Sequence, residues 1–294
     1  RIWLVLMVLV GTMMLICGCS EDIKEEEVRL WQAPNWTQDG KVCFLEHYYV
    51  QKWKHEITGD TQAGGSEKIT VYEINKDGGG LKKVATVKTN EFKYGPELGS
   101  INSSSAGDWV VFSIEDWNIG DHYPVMYVIK RDGTNQKEIG SGQYPDFSPD
   151  AEKIVYQKKD EGIWIMNRDG TNNHQIIGDG NAVKPVWSPD GTKIAYDLPG
   201  VSIIDTSGQI LKFYDIERPL SPDWNGSPDT LGLGNGLSGK VRFININTDS
   251  VLEIETYTGG DFRWSFSGNK FIGYDENGYF TIDRSGTNKW YLKP

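Results

Sequence analysis

The feature that most constrains this chain is a stretch that recurs along it. Lys184 to Tyr196 reads Lys-Pro-Val-Trp-Ser-Pro-Asp-Gly-Thr-Lys-Ile-Ala-Tyr, which is a strand, a tight turn and a second strand. Near-copies occupy Pro34 to Leu45, Ile101 to Phe112, Tyr144 to Tyr156, Ser221 to Leu233 and Asp261 to Tyr274. Aligned, they set an anchor position at Trp36, Ser103, Phe147, Trp187, Trp224 and Trp264, Ser103 belonging to the most diverged copy. A second marker follows each anchor: an apolar residue, two polar residues, then Asp or Ser and usually Gly. Ile74 to Gly78, Ile129 to Gly133, Met166 to Gly170, Ile204 to Gly208, Ile246 to Ser250 and Ile282 to Gly286 carry it. Both markers count six.

Each marker has a physical cause. Asp-Gly and Ser-Gly supply the positive φ of tight hairpin turns. Seven and nine residues after the anchor come bulky residues, as in Ile194 and Tyr196 or Ile154 and Tyr156, with a smaller residue between them. That is strand alternation with two apolar faces. In the last copy the pattern selects Ile272 and Tyr274 if its turn gains a residue, and in the first it places Cys43 at the leading bulky position, as a small core residue. Four strands per unit at a period of about forty residues define a propeller blade. The expected fold is all-β: a six-bladed β-propeller of four-stranded antiparallel blades. One blade cannot cover both of its own faces, so the anchor aromatics read as wedges between neighbours in a closed ring.

The repeats occupy nearly everything from Trp31 onward, so residues 31–294 are assigned to one propeller domain. The N-terminal part differs in kind. Ile2 to Cys17 is an apolar run that ends in Ile16-Cys17-Gly18-Cys19. It is short for a membrane span, which needs about 20 residues, and it fits a signal peptide. A small residue before Cys19 makes that tetrad resemble a bacterial lipobox, whereas Ile16 before Cys17 does not. Residues 1–18 are therefore expected to be a lipoprotein signal peptide, with Cys19 lipidated. The charged run at 19–30, which includes Ser20 to Arg29, is expected to be an acidic tether. The address this implies is a bacterial cell envelope, anchored through lipid at Cys19, on the periplasmic side or at the surface. The run follows an Arg rather than an initiator Met, so the natural chain is expected to begin slightly earlier.

The net charge of −11 over 294 residues repels nucleic acid and anionic head groups, so nucleic acid is excluded as a partner. The three cysteines include two in the leader region, so no disulfide framework is expected.

The Trp-Ser-Pro-Asp-Gly turn, carried by Trp187 to Gly191 and in part by Phe147 to Asp150, is followed by an Asp-Gly-Thr-Asn hairpin. Asp132 to Asn135 and Asp169 to Asn172 carry the second motif, and Ser285 to Asn288 a variant of it. Together these resemble the WD-like repeats of the TolB family of six-bladed propellers, over about 260 residues. The resemblance implies fold more than function. Such repeats also occur in propellers attached to peptidases and in polysaccharide-active proteins. Family members that partner a peptidoglycan-associated lipoprotein carry an N-terminal α/β domain, which the present residues do not contain.

Catalytic chemistry is hard to find. No Gly-x-Ser-x-Gly elbow occurs. The four histidines, His47, His55, His122 and His174, lack metal-ligand spacing, so no metal or cofactor is expected. The reading that follows is a non-enzymatic, monomeric binding module for another envelope protein. The alternative is a surface propeller that binds or cleaves glycans.

The binding face follows from insertions. The Ser-Pro-Asp-Gly and Asp-Gly-Thr-Asn turns belong to one face of the ring, and they are short. Three long excursions, at 47–67, 89–98 and 115–124, belong to the opposite face and to blades one and two. They hold Trp53, Phe92, Tyr94, Trp117, His122 and Tyr123, the candidate contact residues; exposed aromatics are enriched at binding hot spots. The leader yields its own test. A metabolically incorporated fatty acid is expected to be lost on Cys19→Ser and kept on Cys17→Ser, and label that survives the Cys19 change would rule out lipidation there.

Overall fold

The computed structural model describes residues 23–37, 39–56, 59–87, 102–114, 124–216, 221–224, 226–235, 240–255, 263–265, 268–275, 277–283 and 288–292. Among these, the strands form six four-stranded antiparallel sheets, and each sheet uses consecutive strands in chain order. The sheets are the blades of a six-bladed β-propeller. No described helix is long and apolar enough to cross a membrane.

The anchors sit where the wedge argument puts them. Trp36, Phe147, Trp187, Trp224 and Trp264 are all buried. Each begins the pairing of its inner strand with the second strand: Phe147 opposite Ile154, Trp187 opposite Ile194, Trp224 opposite Leu231 and Trp264 opposite Phe271. Both faces of each second strand are then used. In blade three, Ile154 and Tyr156 pack toward blade two with Met126 and Val128, while Val155 packs toward blade four with Trp187 and Ile194. Six apolar clusters result, one at every junction between adjacent blades.

The sixth cluster closes the ring. Trp36, Val42, Phe44 and Ile74 of blade one meet Ile272 and Leu292 of blade six. The Trp36 indole Nε1 donates to the Arg263 carbonyl at 3.2 Å, and Thr281 Oγ1 donates to the Lys76 carbonyl at 3.0 Å. Both blades are complete within their own segments, with Lys289–Tyr291 as the outer strand of blade six. Among the described residues, closure therefore rests on side-chain packing and these two hydrogen bonds, with no strand shared between the first and last blades.

The turn markers do two jobs. Gly133, Gly170 and Gly208 have φ of 86°, 85° and 91°, which favours glycine. A Cβ on Gly208 would also meet the Ile176 carbonyl oxygen of the preceding blade at 2.5 Å. Arg131, beside one of these turns, clasps blades one and two. Its guanidinium donates to the buried Glu73 carboxylate and, at 3.1 Å, to Asp39 Oδ1. Burial alone would raise the Asp39 carboxyl, yet hydrogen bonds from Thr37 and Arg131 hold it down at about 2.

Several sequence expectations change. The excursion at 47–67 is an extension of the blade itself. Lys41–Glu56 and Gly59–Asn75 pair along their length, from Lys41 opposite Asn75 to Glu56 opposite Gly59, with one register shift between Lys52 and Trp53. The tether reading for 19–30 fails over its described part, because Ile23–Trp36 is a strand paired with Val42 to Lys54. A fixed seven-residue offset also fails where turns differ in length. Trp36 pairs with Val42, so Cys43 is buried on the opposite face, toward blade two, where burial pushes its thiol up to about 12. In blade two the two-residue turn at Gly107 makes Ser105, opposite Val110, the structural counterpart of the anchor in place of Ser103. In blade six no residue is gained, and Phe271 fills the position assigned to Ile272.

Because Trp36 both fills the closing junction and bonds across it, Trp36→Ala should cost about 3–5 kcal/mol and lower Tm by roughly 10 °C in a calorimetric scan. A shift no larger than that of an exposed substitution would show that the ring does not depend on this junction.

Candidate functional site at the central channel

Inner strands converge on the propeller axis, and residues two apart on a strand share a face. The residue before each anchor and the residue three before it therefore form two tiers around the channel.

The first tier is Asn35, Asp146, Val186, Asp223 and Arg263, which line a cavity of about 70 Å³ beside the turn residues Pro149, Pro189 and Gly226. Its members also join blades. Asp146 Oδ2 accepts the backbone N–H of Trp187 at 2.7 Å, and Asp223 Oδ2 that of Trp264 at 2.6 Å. Where the tier residue is Val186, the junction uses the other partner, and Trp224 Nε1 donates to the Val186 carbonyl at 3.3 Å. Burial pushes the Asp223 carboxyl up to about 7; Arg263 and the Trp264 N–H oppose this, and the nearby Asp146 charge adds to it. The space suits a few waters and is too small for a sugar ring. No group of three or more His, Cys, Asp or Glu among the described residues is placed to hold a metal.

The second tier lies at the opposite mouth, where the inner strands begin. Tyr144, Lys184 and Ser221 stand three residues before their anchors, each followed by a proline. Tyr144 and Lys184 have φ of 51° and 53°, unusual for side chains of this size. Both lie where the inner strand slips its register against the second strand, between the pairings of Gln157 and Val155 and between those of Val183 and Val186. Such bulges re-aim side chains. Lys184 Nζ donates to Ser221 Oγ at 3.1 Å and lies 5.6 Å from the Tyr144 ring centroid. Asp197, opposite Val183, completes the group, its carboxyl pushed up to about 6 by burial against the pull of the Lys184 charge.

Of the residues selected from sequence, only Trp53 falls among the described ones. Its backbone lies in the extension of blade one, opposite Lys24 and near the hairpin end, paired with Gln62. Phe92, Tyr94, Trp117, His122, Tyr123 and Cys19 lie outside the described residues. The extension is a three-stranded arm. Its strands run 14, 16 and 17 residues, against two to six in every other blade. At its root Arg29 sits 5.1 Å over the Tyr48 ring and 3.5 Å from the buried Glu46 carboxylate.

Sequence reasoning attributed aspartates to turns and passed over both tiers. A signal was present: in Pro-Asn-Trp, Pro-Asp-Phe and Pro-Asp-Trp a polar residue stands next to a buried aromatic, outside any turn.

No protein-family model matches the chain, and no curated relative matches it. Solved structures do. One, of a nidogen/laminin complex, aligns over 76% of this chain and 90% of the other at 15% identity, with a TM-score of 0.55. An oligogalacturonate lyase from Vibrio parahaemolyticus aligns over 92% and 100% at 12% identity, with a TM-score of 0.53. A mitotic checkpoint complex aligns over 96% and 86% at 11% identity, with a TM-score of 0.52. At such identities the likeness establishes the propeller fold and nothing finer.

The channel sets a pH dependence. Asp223 ionises near 3.8 when unfolded and at about 7 when folded, so across that window only the folded state holds the proton. Stability should therefore fall as pH rises from about 4 to 7, with Tm dropping by roughly 5 °C. Asp197, raised to about 6, shares the slope below about 6, so Asp223→Asn should roughly halve it there and remove it between about 6 and 7. An unchanged slope in the variant would exclude Asp223 as the titrating group.

Proposed function

We propose that this chain is a non-enzymatic, lipid-anchored binding protein of a bacterial cell envelope. Its propeller, of TolB-like repeats, holds another envelope protein through the excursions of blades one and two. The observation that carries the reading is the arm. Paired strands continue about ten residues past the blade, or roughly 30 Å at about 3.3 Å per residue, as one antiparallel sheet. A paired sheet presents contact residues with less ordering cost than a free loop would. Trp53 stands near its end, and the excursions holding Phe92, Tyr94, Trp117, His122 and Tyr123, which lie outside the described residues, are assigned from sequence alone to the same binding surface. Two of the similar folds come from structures of protein complexes, which suits a scaffold role.

The test is affinity capture from the native envelope with the purified chain, alongside a glycan array. One protein should be enriched. Trp53→Ala and Trp117→Ala should each weaken its capture by about tenfold, or about 1.4 kcal/mol, with little change in Tm. Array hits abolished by the same substitutions would instead make the arm a glycan surface. Normal capture by both variants, with loss on changes at the Asp132 or Asp169 turns, would place the partner on the other face.

A further inference from the structure

We propose that the cavity on the channel axis is a binding site for a small monoanionic carboxylate, held by the Arg263 guanidinium. The site is separate from the arm of blade one and does not depend on what the arm holds.

Three observations carry this. The first is an uncommitted guanidinium. Among the described arginines, Arg29, Arg131, Arg168 and Arg242 each hold a carboxylate, that of Glu46, Glu73, Glu152 and Glu253 in turn. Arg263 holds none. It is half-buried and lines the cavity, and its side chain makes no ion pair or hydrogen bond among the described residues. The bond from Trp36 across the closing junction goes to the Arg263 carbonyl and leaves the side chain out of it. A guanidinium presents five N–H donors in a planar fork, the shape that matches a carboxylate.

The second is that the neighbouring carboxyls are turned elsewhere. Asp223 Oδ1 accepts the Trp224 N–H at 3.0 Å, and its Oδ2 accepts that of Trp264 at 2.6 Å. Asp146 Oδ2 accepts the Trp187 N–H at 2.7 Å. Arg263 pulls on the Asp223 charge without bonding to it, and burial outweighs that pull. The cavity therefore sets unspent donors beside acceptors already in use. A ligand that completes it must bring acceptors of its own.

The third is size and charge. The cavity, about 70 Å³, has room for several waters or for the few heavy atoms of a carboxylate. With Asp223 protonated, Asp146 and Arg263 are its two standing charges, and they balance. Beside Asp146 a dianion is repelled about twice as strongly as a monoanion. The carboxylate can belong to a free acid or to the end of a peptide chain, since the fork recognises the same group in both.

The probes are acetate, N-acetylglycine as a chain end, N-acetylglycinamide as its uncharged counterpart, sulfate and methylammonium. Ionic strength is held constant at about pH 6, below the Asp223 value of about 7. Binding to the full chain in detergent is read by titration calorimetry and by the backbone amide shifts of 15N-labelled tryptophan. Trp187 and Trp264 line the cavity, and Trp290 lies exposed on an outer strand. Acetate or N-acetylglycine should bind with Kd of about 1–10 mM and move the Trp187 and Trp264 signals while sparing Trp290. Arg263→Gln should weaken binding by at least about tenfold, and Arg263→Lys, which keeps the charge and loses the fork, by about threefold. Should Arg263→Gln fail to fold, Arg263→Lys and the amide probe, which should not bind, decide in its place. N-acetylglycine binding about fivefold tighter than acetate assigns the site to a chain end; otherwise it takes a free acid. Trp53→Ala should leave binding unchanged, which separates this site from the arm. The proposal is overturned if neither carboxylate moves the two signals at about 50 mM, or if binding is indifferent to both Arg263 substitutions. Tighter binding of sulfate or methylammonium than of either carboxylate overturns it as well.

Discussion

Every blade of this molecule has two apolar faces, and only a closed ring covers both. That constraint governs the rest. The second strand of blade three cannot bury Tyr156 without blade two or Val155 without blade four, and the same holds around the circle. The circle ends at Trp36, whose indole spans from blade one to the Arg263 carbonyl of blade six. The described inner strand of blade six is Arg263–Trp264. It is gripped from both sides, by the Asp223 carboxylate on the Trp264 N–H and by the Trp36 indole. A propeller closed without a shared strand distributes its cooperativity over such junctions, so polar groups that bridge blades matter more than their exposed counterparts at the rim.

Closure also creates the channel. Residues about forty apart in sequence are brought to one axis because each inner strand points there. The two mouths differ in chemistry. At one, Asp146 and Asp223 are consumed in joining blades, and the Asp223 carboxyl sits near neutrality because burial outweighs the pull of Arg263. At the other, Tyr144, Lys184, Asp197 and Ser221 gather where the inner strands begin, with Lys184 donating to Ser221.

The arm of blade one obeys a different rule. A lone two-stranded hairpin is marginal in water, and a third strand makes it viable. Ile23–Trp36 supplies that strand, with Glu25 opposite Lys52 in the register. A charged run that composition alone assigns to solvent becomes a sheet edge, and charge on an edge strand discourages unwanted pairing.

By itself the sequence determined the number of blades, the anchors and the turns, because each rests on local chemistry: Trp36, Trp187 and Gly208 announce a wedge or a positive φ whatever lies around them. Two independent markers repeating six times left no other closed architecture. What only the tertiary structure decided was non-local. Register depends on turn length, which differs by a residue or two between copies, so Val42 displaced Cys43 and Phe271 displaced Ile272. Whether 47–67 is loop or strand depends on a partner, and that partner was Ile23–Trp36, some twenty residues upstream. The channel groups were hidden for the same reason. Tyr144, Lys184 and Ser221 are each unremarkable in their own repeat, and they become a group only because ring closure points equivalent positions of successive blades at a common axis.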